Sequence, residues 1–200
     1  MVYATSSLDI THFTLKKDTM LIGITGYKSS GKSTATEMLS SLLHCEVRSF
    51  ATPLKEMVCA LTGCTMSQLE DYNFKENEIV PEHLWNYCSD DRHNYRSLLQ
   101  GLGDVMRDVN QDVFVECALS NTPSVVIISD VRMRNEAEAI KRNGGVIIRI
   151  MRDVEHSDTH KSEVEIDMIE PDYLIYNNKS IPDLKNSLEQ LVSIWKFFKL

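Results

Sequence analysis

Apolar residues along this 200-residue chain fall into short runs separated by stretches of helical spacing. Met20-Leu-Ile-Gly-Ile-Thr25 is apolar almost throughout and ends at a glycine turn. Such a run fits a strand covered on both faces, as in a parallel sheet. From Ser33 to Leu43 the period changes, with Ala35, Met38, Leu39, Leu42 and Leu43 on one helical stripe. Glu46 to Phe50 reads as a second strand. Pro53 suits the first turn of a helix that runs to about Leu61 and stops at Gly63. Thr65 to Asn94 has weak periodicity and contains Pro81, so short helices and mobile loop are expected. From Tyr95, the residues Leu98, Leu99, Leu102, Val105 and Met106 share a helical face, although Gly101 and Gly103 lower the propensity. Val113 to Leu119 predicts a further helix, and Val125-Val-Ile-Ile128 is the most strand-like run. A helix over Asn135 to Asn143, strands over Val146 to Ile150 and Tyr173 to Tyr176, and a C-terminal helix opened by Pro182 complete the pattern. The last helix is expected to turn Leu184, Leu188, Leu191 and Ile194 inward. Strands alternating with helices predict a three-layer α/β fold, its mostly parallel sheet flanked by helices. Met1 to Thr19 is polar and without period, and reads as an N-terminal extension to one domain over residues 20–200.

Gly26-Tyr-Lys28-Ser29-Ser30-Gly31-Lys32-Ser33 matches G-x-x-x-x-G-K-[ST] in full, between a predicted strand and a predicted helix. The glycines let the backbone wrap so that successive N–H groups point inward, and the helix N-terminus adds a positive dipole end. Lys32 is expected to reach the β- and γ-phosphates of ATP, and the Ser33 hydroxyl to hold Mg²⁺. The motif makes the α/β fold a P-loop NTPase fold. Thr34, read from the residues alone, caps or packs. Ile128-Ser129-Asp130-Val131-Arg132 is an apolar strand ending in an acid, as the second Mg²⁺ position of such a fold requires. Asp130 would bind the ion directly or through water, or orient the acceptor oxygen; the competing reading is a cap on the next helix. Arg132 is well placed for phosphate, whereas Arg134 reads as a solvated helix-start residue.

The net charge of −8 argues against a non-specific nucleic-acid binder, and no apolar run is long enough to span a membrane. The charge is uneven: Glu70 to Asp91 holds seven acidic residues and one lysine, while arginines gather over 92–107 and 132–152. A small anionic substrate needs only a local basic pocket. Bringing two anionic substrates together calls for several guanidinium groups. Arg96, Arg107, Arg132 and Arg152 are candidates. Arg96 and Arg107 are eleven residues apart, about three helical turns, and so share a face. Ordinary surface ion pairs would explain that pair equally well. His160, in the polar stretch Asp158 to Glu163, would touch a phosphate or stand exposed. Five cysteines without a C-x-x-C pair predict buried free thiols rather than a disulfide framework or a zinc site.

With these residues in hand, the chain resembles the phage-type deoxynucleoside monophosphate kinases, a P-loop family, from about Met20 to Asn177. The landmarks are Gly26 to Thr34, Ser49-Phe50-Ala51-Thr-Pro53-Leu-Lys55, Arg96-Ser-Leu-Leu-Gln100-Gly-Leu-Gly103 with Arg107, Ser129-Asp130-Val-Arg132 with Asn135-Glu136, and Asp158-Thr-His160-Lys-Ser162-Glu163. The resemblance implies transfer of a phosphoryl group from ATP to a (deoxy)nucleoside monophosphate with Mg²⁺. It implies that Gly26, Lys28, Ser29, Ser30, Gly31, Lys32, Ser33 and Thr34 cradle ATP. It places Ser49, Phe50 and Lys55 near the acceptor pocket, has Arg96, Gln100 and Arg107 grip the acceptor, and puts His160 on the substrate. It also implies an acceptor-binding helical region over about 52–120, and a lid over about 152–165 that brings Arg152 to the phosphates. Two departures stand out: the family often has a Trp where this chain has Phe114, and residues 65–91 match nothing in its pattern. Implied partners are free nucleotides in the cytoplasm (the host's, if the protein is viral), with no nucleic-acid polymer and no membrane, and a homodimer left open. Two other readings stay open: a related small-molecule kinase such as animal phosphomevalonate kinase, and a nucleotide-dependent switch, which would need fewer arginines.

Overall fold

The computed structural model describes residues 20–153 and 165–198. The N-terminal extension and most of the expected lid, His160 included, lie outside them. Five parallel strands form one sheet: β1 (Met20–Thr25), β2 (Glu46–Arg48), β3 (Val125–Ile128), β4 (Val146–Met151) and β5 (Tyr173–Tyr176), in the order β2-β3-β1-β4-β5. Alternate residues of the central strands face opposite sides, as the pleat demands. Leu21, Val126, Ile128 and Ile147 enter one apolar cluster, and Ile22, Ile24, Ile127 and Ile148 another. The continuous apolar runs thus fill two cores. The second lies under α1 (Lys32–Leu43) and the C-terminal helix, which spans Ile181–Phe198. The first is shared with α2 (Thr52–Thr62), α5 (Tyr95–Val109), α6 (Val113–Leu119) and α7 (Arg134–Arg142).

The segment with the weakest period folds into α3 (Met66–Glu70), α4 (Tyr72–Asn77) and a 3₁₀ turn over Glu82–Tyr87. Local caps start both helices: Thr65 and Gln68 form a capping box, and the Asp71 carboxylate accepts from the Phe74 N–H at 2.7 Å. Leu69, Val80 and Leu84 bury themselves in the first core. Gly101 makes room for this segment, since a Cβ there would stand 2.0 Å from the Tyr87 carbonyl oxygen. The glycine that weakens α5 as a helix is the point where its neighbour comes closest.

Two expected core positions are corrected. Val105 is 48 % exposed. It lies about 60° around α5 from Leu102, on the side away from Met106. In the C-terminal helix, here α8, Ile194 is 47 % exposed while Trp195 is buried. Trp195 falls about 20° from the direction of Leu184, and Ile194 about 80° off it. The cysteines are not deeply buried either: Cys117 is exposed and the other four are half-buried free thiols. Cys59 and Cys64 face each other at 3.7 Å between sulfurs. Among the described residues no helix is long and apolar enough to cross a membrane.

Candidate active site

β1 stands between β3 and β4, so the loop that follows it opens where the sheet order reverses, the place where open α/β sheets bind ligands. Gly26 and Gly31 have φ of 141° and 97°, and Ser29 also enters the left-handed region, which curls the loop back on itself. Gly31 occupies the N-cap of α1 without any side-chain cap. The N–H groups of the first helical turn have no partner inside the helix and are available to an anion. The Lys32 ammonium donates to the carbonyls of Gly26 at 2.6 Å and Tyr27 at 2.5 Å, closing the loop with its own side chain. Asn177, just past β5, donates from its amide to the Ser30 carbonyl at 2.9 Å. That amide nitrogen fills the place of a Gly31 Cβ, 2.2 Å from where the carbon would be.

In front of the loop lies a cavity of about 570 Å³. Of the loop residues, Lys28, Lys32 and Ser33 line it. Ser33 is exposed to it, whereas Ser30 is buried. The opposite wall carries Ser49, Phe50 and Lys55 from the β2–α2 corner, and Arg96, Gln100 and Arg107 from α5. Asp130 and Arg132, beyond β3, line the floor. Arg96 and Arg107 therefore do share a face, and it lines the same cavity as the loop. Arg152 stands exposed past the end of β4 and is not part of the cavity wall.

Asp130 caps a helix, though not the one that follows it. Its Oδ1 accepts from the Phe50 N–H at 2.8 Å, and its Oδ2 accepts from the Ala51 N–H at 3.0 Å and the Ser49 hydroxyl at 2.6 Å. Ala51 is the N-cap of α2 and offers no side-chain cap. The carboxylate beyond β3 thus fixes the corner beyond β2, and three of its roughly four lone-pair sites are taken. The acid at the start of α7 is instead Glu136. It is buried and accepts from the N–H groups of Arg132 at 2.8 Å and Met133 at 3.0 Å. Burial pushes its carboxyl from the ordinary 4.5 up to about 7, and the charge on Asp130 adds to the rise. The two N–H bonds and the charge of Arg107 oppose it. Asn135 ties the same turn to the α5–α6 loop through the Gln111 carbonyl at 2.9 Å and Asp112 at 2.8 Å.

On α5, the Arg107 guanidinium lies over the Phe114 ring, 4.9 Å from its centroid, so a flat cation and a ring line the same end of the cavity. Arg96 pairs with Glu76 at 2.9 Å, and Lys55 with Glu70 at 2.6 Å. The sequence pattern missed Glu70, Tyr72 and Lys75, which line the cavity from α3 and α4. Glu136 stood among the landmarks without a role. The signal for Lys75 was its charge: it is the one lysine in the acidic run from Glu70 to Asp91. Tyr72 also reaches the phosphate loop, with the Lys28 ammonium 4.3 Å from its ring centroid.

A sequence profile described as deoxynucleotide monophosphate kinase matches residues 61–188, which is more than half of the chain. A protein of Acanthamoeba polyphaga mimivirus, provisionally named deoxynucleotide monophosphate kinase, is 34% identical over 188 residues, covering 84% of this chain and 94% of that protein. This chain belongs to the deoxynucleotide monophosphate kinase family. It is accordingly a nucleotide kinase, a phosphotransferase. Of the readings left open by the sequence, family membership favours this one over a non-nucleotide kinase or a switch. Solved structures similar over most of the kinase include shikimate kinase from Acinetobacter baumannii in complex with shikimate (12% identity, TM-score 0.46, 91% of this chain and 96% of that one). Dephospho-CoA kinase from Campylobacter jejuni is another (14% identity, TM-score 0.43, 88% and 97%).

Proposed function

We propose that this kinase transfers the γ-phosphoryl group of ATP to a deoxynucleoside monophosphate in a magnesium-dependent reaction, acting on free nucleotides in the cytoplasm. The observation that carries this reading is one shared cavity: Lys32 and Ser33 of the phosphate loop face Arg96, Arg107 and Arg132 across it. Phosphoryl transfer needs little covalent help from the protein, and positioning plus charge stabilisation suffice. ATP phosphates would lie in the amide nest of residues 26–33, with Lys32 on the β- and γ-oxygens. An acceptor phosphate oxygen would attack the γ-phosphorus as its bond to the bridging oxygen breaks and ADP leaves. Arg132 would meet the charge on the transferring group. Arg96, Gln100 and Arg107 would hold the acceptor, its base against the Arg107–Phe114 end.

The donors present suit magnesium, a hard ion that keeps several waters and prefers oxygen ligands. Ser33 offers an exposed hydroxyl, and Asp130 Oδ1 keeps one lone pair beyond its bond from Phe50. Among the described residues no cluster of three or more His, Cys, Asp or Glu competes as a metal site. When bound, the ion would neutralise phosphate charge. The test is ADP release measured across the deoxynucleoside monophosphates, the ribonucleoside monophosphates and phosphomevalonate, with and without EDTA. Turnover is expected with one or more deoxynucleoside monophosphates, and only with magnesium. Saturable turnover with phosphomevalonate alone would overturn the proposal.

A further inference from the structure

Lys75 is the charged residue of the cavity wall whose placement is hardest to account for by structure alone. Its side chain is buried, at 9 % exposure, where lysines are rarely found unless paired. It donates to the carbonyls of Leu69 at 2.6 Å and Glu70 at 3.3 Å. An ammonium has three N–H donors, and two are thereby used. Among the described residues no carboxylate pairs with it, and its nearest charged neighbours include two like charges, Arg96 and Lys55. Burial first, then Arg96 and then Lys55, hold its pKa below the ordinary lysine value, while Glu70 and Asp71 oppose the fall. Capping the end of the five-residue α3 would explain the two carbonyl bonds. It does not explain why three cations from α2, α4 and α5 converge on one wall of the cavity. Glu70 and Glu76 answer two of the three cations and leave the charge on Lys75 uncompensated, which is unfavourable in a half-buried site until a further anion joins it.

Position selects the anion. Tyr72, one helical turn before Lys75 on α4, touches Lys28 of the phosphate loop. This stretch of wall therefore borders the phosphate loop directly. In-line transfer requires the acceptor phosphate to stand beside the γ-phosphate, in front of the loop. We infer that Lys75, with Lys55 and Arg96, binds the phosphate of the acceptor nucleotide, as a specificity-determining residue for phosphorylated over unphosphorylated acceptors. Glu70 and Glu76 hold Lys55 and Arg96 in place until that phosphate arrives. This inference rests on the kinase reading above.

The experiment compares the unmodified kinase with Lys75→Met and Lys75→Arg. The Michaelis constant is measured for each of the four deoxynucleoside monophosphates and for ATP, and inhibition by the matching deoxynucleosides is measured alongside. Lys75→Met is expected to raise the acceptor KM about 10- to 100-fold, the loss of one charged hydrogen bond. The KM for ATP and the inhibition constants of the deoxynucleosides should stay within about twofold, and Lys75→Arg should recover part of the loss. If Lys75→Met does not fold, acetylation of the unmodified enzyme by acetic anhydride, mapped by mass spectrometry, decides instead. A deoxynucleoside monophosphate should protect Lys75 where its deoxynucleoside does not. Equal weakening of nucleoside and monophosphate, a lower melting temperature with unchanged acceptor KM, or equal protection would reduce Lys75 to a helix cap and overturn the inference. No turnover of any monophosphate by the unmodified chain would instead overturn the function proposed above.

Discussion

The phosphate loop and the wall facing it are made by opposite means. The loop is eight consecutive residues between a strand and a helix, shaped by glycines at positive φ and closed by its own lysine. The wall is drawn from the β2–α2 corner, α2 to α5, the turn after β3 and the start of α7, and its members are separated by as many as 87 positions, from Ser49 to Glu136. A contiguous device takes most of its geometry from its own residues, here with one outside brace at Asn177. A dispersed one exists only when the whole chain has folded. The loop should therefore respond to substitution in chemistry alone, and the wall in binding and stability together.

Lys32→Ala puts the loop side to the sharpest test. The rate constant kcat should fall by about a thousandfold or more while the fold stays intact, because the lysine serves the phosphates rather than the core. Near-normal turnover would remove the loop from the chemistry. Glu136→Gln tests the wall through stability. The folded-state carboxyl titrates near 7 and the unfolded one near 4.5, so the folded chain holds the extra proton between those values. Stability supplied by that proton is complete below about pH 4.5 and is lost as pH rises through about 7, by at most about 3 kcal/mol. Glutamine keeps an acceptor for the N–H groups of Arg132 and Met133 and does not ionise. Denaturant melts from pH 5 to 8 should show that decline in the parent and not in the variant. A parallel decline in both would mean Glu136 is charged throughout. Arg107→Ala should raise the acceptor KM about 10- to 100-fold and the ATP KM far less, because the guanidinium stands over Phe114 on the α5 wall rather than in the loop. Equal effects on the two substrates would show that the two sides of the cleft are not separable.

The same contrast governs what the sequence revealed. All five strands, the phosphate loop and the facing of Arg96 and Arg107 follow from local period and spacing. Asp130 was found, but its partners were not. A hydrogen bond between Asp130 and the corner at Ser49 to Ala51 spans about eighty residues, and no local pattern records it. Lys75 was hidden for a different reason: α3 and α4 have five and six residues, too short for a helical period to emerge. Lys75 is placed by the packing of α4 on α3 and α5, where the Asn94 amide donates to the Glu76 carbonyl at 2.7 Å. Ile194 and Trp195 mark the limit of a fixed stripe, since one residue of phase over three turns exchanges inside for outside.

Asn177 gives the phosphate loop a dependence on time. The motif is complete once residue 33 has been synthesised, but the amide that holds the Ser30 carbonyl and packs on Gly31 arrives 144 residues later, behind the last strand of the sheet. A nascent chain halted before β5 carries every residue of the motif and lacks the brace that sets its shape. Nucleotide capture by this kinase thus belongs to the finished chain rather than to the segment that spells out the loop.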